Sequence, residues 1–190
     1  MQLPAYNASM PNGGDPLDVD VNAQYAGYEW QYVYQVIMGC LVFLIIPGIG
    51  LLYGGMARRK SALAMIFQSM MVISVCSFQW MFWGFSIAFS RTGGPFIGDL
   101  NAFGLKNVLA APSWGSVVIP DIVFCFYELM FCACATMIVV GGSFERGRIV
   151  PSVIFSFLWA TVVYCPIAYW TWNANGWLYN LPGLDFAGGG

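Results

Sequence analysis

The chain has no histidine. That excludes His-ligated zinc, Ser-His-Asp catalysis and imidazole proton relays from these 190 residues. Charge is also scarce. Asp, Glu, Lys and Arg together make up 8% of the sequence, where soluble domains carry about 25%. So few charges cannot coat a water-facing surface. The net charge of −2, with no basic patch interleaved with aromatics, excludes a nucleic-acid binder. No G-x-x-x-x-G-K-[ST] loop is present, so an ATP-driven pump is not indicated. Glu128 and Asp185 sit in apolar surroundings without catalytic spacing, and no metal-ligand or nucleophile motif accompanies them. The reading is therefore not an enzyme, with no metal and no cofactor. The opening residues MQLPAYNASM lack the basic start and apolar centre of a cleaved signal peptide.

What the chain has is apolar residues, at 59%, and a mean hydropathy of +0.68. After about thirty polar residues come four long apolar runs, at roughly 32–56, 62–90, 117–143 and 149–172. Each can cross a hydrocarbon core of about 30 Å as a helix of about 20 residues. A fifth run begins near Leu184. The runs lack period-two alternation and are too long for barrel strands. The expected fold is all-α, a polytopic transmembrane bundle: residues 1–30 form a polar segment and 31–190 the membrane domain.

Orientation follows from the basic residues. Arg58, Arg59 and Lys60 lie between the first two runs, and Arg146 and Arg148 between the last two. Five of the seven Lys and Arg residues thus occupy two short loops, which places those loops in the cytoplasm. The N-terminus is then extracellular, together with Asp15, Asp18, Asp20, Glu29 and Asp99. Asn7-Ala8-Ser9 is a sequon, so Asn7 can be glycosylated on that side. Trp170, Trp172, Trp177 and Tyr179 cluster at the outer end of the fourth run, as at a membrane interface.

The six cysteines, Cys40, Cys76, Cys125, Cys132, Cys134 and Cys165, all lie in apolar runs. They read as small core residues, with a disulfide or metal as the lesser alternative. Gly50 and Gly54 make a G-x-x-x-G, flanked by Gly48 and Gly55, which predicts close helix packing but no cargo.

The string PGIGLLYGGMARRKSA at 47–62 resembles the first-helix signature of the Amt/Mep/Rh ammonium transporters. The resemblance continues through FQW at 78–80, WGFSIAF at 83–89, residues 131–148 and LDFAGG at 184–189. Its order and extent are most similar to the fungal Mep branch. It implies a plasma-membrane trimer of eleven-helix subunits, with a pore in each subunit and two inverted five-helix repeats. It also implies that this chain is the N-terminal part, the first repeat cut at the start of helix five. The family's twin pore histidines would then lie beyond Gly190.

By that resemblance, Trp172 is the outer-vestibule aromatic that recruits ammonium, and Phe131 is one of the phenylalanines gating the pore. Tyr127, one turn before Phe131 on the same face, stands where another Phe is common. Asp185 matches an acidic residue that organises the vestibule. The plainer alternatives are an interface tryptophan, lipid-facing or core aromatics, and a helix cap. Glu128 departs from the family pattern, which is commonly neutral there. It is expected to face a polar cavity or another helix, with no transport role assigned. Glu145, Arg146 and Arg148 read as topology determinants, and Gly188, Gly189 and Gly190 as a close-approach segment.

The implied route has ammonium, or methylammonium as an analogue, gather against Trp172 and meet the Phe131 gate. It is deprotonated there, and ammonia crosses an apolar lumen. A bare charge in hydrocarbon is costly, which is the physical basis for that order. The alternatives are an ammonium sensor on the same fold, or a fragment inactive by itself.

Overall fold

The computed structural model describes residues 25–114, 116, 118–143, 148–181 and 185. Asn7, Glu145, Arg146, Leu184 and the closing glycines lie outside these residues. Four helices are long and apolar enough to cross a membrane: α1 Glu29–Met56, α2 Arg59–Phe89, α3 Asp121–Gly141 and α4 Ile149–Trp172. Each starts or ends near the expected boundary, because the limits are set where charge or turn residues interrupt the apolar run. Among the described residues there is no strand. The only extended pairing among them is an isolated antiparallel bridge between Pro112 and Pro120.

α1 ends at Ala57, whose backbone is extended while its N–H still bonds the Tyr53 carbonyl. Arg58 is extended as well, so α2 starts at once and runs back along α1. The G-x-x-x-G seats this pair. A Cβ on Gly50 would meet Ser69 at 3.0 Å, and one on Gly54 would meet the Ala62 carbonyl oxygen at 3.3 Å. Small residues let the two backbones approach where a larger side chain would hold them apart.

α3 packs against α1 and α2, and α4 runs beside α2. Their shared interior is built from Ile46, Met65, Val72, Cys76, Trp80, Cys132, Met137 and Cys165. The outer surfaces remain apolar: Leu44 is 61%, Leu63 78% and Val162 67% exposed. In water such faces would be costly; in lipid they are the contact surface. Several serine and threonine hydroxyls within the spans bond the carbonyl one turn back, as Thr136 to Cys132 at 2.8 Å and Ser156 to Ser152 at 2.7 Å. No polar hydrogen of these groups is then left facing hydrocarbon.

α2 and α4 each contain one π-helical stretch, Trp80–Gly84 and Ala160–Tyr164. The two stretches meet. The Trp83 indole N–H donates to the Thr161 hydroxyl at 3.2 Å, and the Trp80 and Tyr164 rings are 6.2 Å apart. The extra residue in each wide turn re-aims these aromatic side chains into the interface.

Candidate functional site

Trp172 closes α4. Asn173 leaves the helical region, and its N–H completes the last turn to the Tyr169 carbonyl at 3.2 Å. The Asn173 side chain is fully buried and donates to the Ser90 carbonyl at 2.8 Å. This amide pins the end of α4 to the end of α2 and so fixes where Trp172 stands. The indole packs against the bundle core and donates its N–H to Asp185 Oδ2 at 3.0 Å. That bond lies at the ring edge, in the plane, and does not use the π face to which a cation is drawn.

Tyr127 and Phe131 lie on α3, one turn apart, with ring centroids at 4.9 Å and an interplanar angle of 64°. The 3.6-residue repeat places them on one face. The four residues singled out from the sequence therefore come together as two pairs, Trp172 with Asp185 and Tyr127 with Phe131. The pairs occupy different depths. Trp172 is at the α4 end that Asn173 ties to Ser90, next to the Arg91 that pairs with Asp121 at the start of α3, and Phe131 is roughly 15 Å down α3 from that start.

Between these depths the helix carries Glu128, which is bonded to none of the described residues by a hydrogen bond or ion pair. A neighbouring buried hydroxyl, Tyr164 Oη, has no hydrogen-bond partner among them either.

Several polar groups that fix the end of the bundle where α3 starts were not recognised from the sequence. Asp121, the first residue of α3, is buried and pairs with Arg91 at 3.4 Å. Arg91 also donates to the Pro112 carbonyl at 2.7 Å and lies over the Trp114 ring, 5.9 Å from its centroid. The acid at a helix start was a visible signal, since a carboxylate there faces the positive end of the helix dipole. Its cation was not visible, because Arg91 is distant in sequence. Asp99 accepts from Ser90 at 2.7 Å, from the Asn101 amide at 2.8 Å and from the Thr92 hydroxyl. It ties the loop after α2 together.

Tyr25 lies ahead of α1 and is buried, with its hydroxyl donating to the Ala110 carbonyl. Burial, and after it the Asp121 charge, push its phenol up to about 12, against a smaller opposing pull from Arg91. Tyr25 thus packs at the same end of the bundle as the start of α3.

The model of the Ammonium Transporter Family matches residues 33–190. Ammonium transporter 1 of Schizosaccharomyces pombe is 47% identical over 178 residues, which cover 94% of this chain and 35% of that protein. Ammonium transporter MEP2 of Saccharomyces cerevisiae is 49% identical, over 93% of this chain and 35% of its own length. The chain therefore spans about a third of the length of these relatives. The crystal structure of Candida albicans Mep2 superposes with a TM-score of 0.85 at 44% identity, covering 97% of this chain and 40% of that one.

Proposed function

The chain belongs to the Ammonium Transporter Family, and from that premise we propose that the protein moves ammonium across the plasma membrane. The observation that carries the proposal is identity near one half to fungal ammonium transporters, spread over almost the whole chain rather than over one motif. The arrangement of side chains supports a route. Ammonium collects against the Trp172 π face at the outer end, with Asp185 holding the indole by its N–H. A cation over an indole gains about 0.5–2 kcal/mol. That is enough to concentrate the ion but too little to carry it intact through hydrocarbon.

Tyr127 and Phe131 then form the next barrier, deeper along α3. Deprotonation at this depth lets neutral ammonia cross the apolar lumen, which avoids the cost of a desolvated charge. The basic corner Arg58, Arg59 and Lys60 is assigned to the cytoplasm, and the N-terminus to the outside. Residues 31–190 serve as the membrane domain, in a homotrimer within the lipid bilayer.

Expression of the full-length gene in a strain lacking ammonium uptake tests the reading. Growth on low ammonium and saturable uptake of labelled methylammonium are expected. If the protein reaches the plasma membrane and restores neither, transport is rejected and a sensor on the same fold takes its place.

A further inference from the structure

Glu128 lies about 10 Å into α3 from its Asp121 end, at 1.5 Å per residue. A carboxylate at such a depth is expensive unless a cation, a donor or water meets it. The described polar groups that interact with Glu128 do not supply a cation. Glu128 interacts electrostatically with Cys125, Tyr127 and Tyr164, none of which carries positive charge. Arg91 is committed to Asp121 and the Pro112 carbonyl at the helix start.

The position on the helix is equally informative. At about 100° per residue, Phe131 falls between Tyr127 and Glu128 around the α3 axis. The ring pair and the carboxylate therefore share one arc of about 100° on the helix wall. α3 also packs against the π-helical stretch of α4, whose Tyr164 interacts electrostatically with Glu128 and has its Oη buried without a hydrogen-bond partner among the described residues. Within about one turn of α3, an acceptor carboxylate and two aromatic rings thus share one arc, and a buried hydroxyl on α4 interacts with that carboxylate. That set matches a small cation bearing several N–H donors.

We infer that Glu128, with the Tyr164 hydroxyl beside it, is a further contact for the permeating cation, placed next to the Tyr127–Phe131 pair. This rests on the transport reading given above. Glu128 accepts N–H bonds from the ammonium, while the rings meet its remaining charge. A monocation with N–H donors gains from all three groups.

The test uses the full-length protein and labelled methylammonium. Glu128→Gln and Glu128→Ser remove the charge with different side-chain sizes, and Glu128→Asp keeps it. Loss of a charge-assisted contact is expected to raise KM about tenfold or more, with Vmax changed less than KM when both are scaled to the amount at the membrane. Glu128→Asp is expected to stay within about threefold of wild type. A charge-free variant that reaches the membrane with KM within about twofold of wild type overturns the inference. So does a loss of Vmax alone, which is what a purely structural carboxylate would give. Failure of the transport reading looks different, because the wild-type protein itself would then take up no methylammonium.

Discussion

Replacing Arg91 by alanine strips the counter-charge from a carboxylate that water barely reaches. The Asp121 side chain is 8% exposed and that of Arg91 27%, with 3.4 Å between the charged atoms. At an effective dielectric near 20 the gross attraction is about 5 kcal/mol. Desolvation offsets much of that, so the intact pair contributes little net stability. Removing one member is different. It leaves a buried charge uncompensated, at a cost of about 3–5 kcal/mol. The partial exposure of Arg91 puts this pair at the lower end, about 3 kcal/mol.

The variant also loses the bond to the Pro112 carbonyl and the contact with Trp114, about 1 kcal/mol each. Adding Asp121→Asn to Arg91→Ala removes the stranded charge and should recover part of the loss. The assay is the temperature at which full-length protein in detergent loses its monodisperse gel-filtration peak, measured for wild type, both single variants and the double. Arg91→Ala should lower it clearly, and the double variant should lie above the sum of the singles. Strict additivity, or an Arg91→Ala protein as stable as wild type, would refute the coupling.

Other outcomes follow from the same geometry. Trp172→Ala should raise the methylammonium KM by about 2- to 30-fold, the range that corresponds to losing about 0.5–2 kcal/mol of cation–π attraction; Trp172→Phe should fall between. Gly54→Val should lower yield and thermal stability by about 1–3 kcal/mol of overpacking, because the Ala62 carbonyl is backbone and cannot swing away. Gly48→Val, where an added Cβ meets nothing within 4 Å, should be near neutral in the same assay.

Tyr25→Phe should cost about 1 kcal/mol at neutral pH, for the bond to the Ala110 carbonyl. The phenol is raised from 10.0 to about 12 in the folded protein. Its stabilising contribution is therefore complete below pH 10 and is lost as pH rises towards 12. The stability gap between wild type and Tyr25→Phe should be flat up to about pH 10 and shrink above it. A gap that grows with alkalinity would contradict the assignment.

The four spans were legible because each is a statement about length and hydropathy, which are properties of a continuous stretch. The packing of α1 on α2 was legible in Gly50 and Gly54 for a similar reason, since a four-residue spacing fixes one helix face. The family was legible because its motifs are local strings in order. The partner of Trp172 was not, since nothing in the sequence says that its indole N–H meets Asp185. The two π-helical stretches were also hidden. No residue type demands them, and they exist where Trp80, Trp83, Thr161 and Tyr164 must interlock.

By itself, then, the sequence determined that this chain lives in a membrane as a helical bundle. Scarce charge and twenty-residue apolar runs permit little else, because a backbone in lipid must satisfy its own hydrogen bonds. Only the tertiary structure decided what stands beside what. Arg91 meets Asp121, Asn173 pins the end of α4 to that of α2, and Trp83 meets Thr161. Those relations depend on how helices distant in sequence are rotated and offset against one another. Side-chain shape in the assembled core sets that rotation, and no local pattern records it.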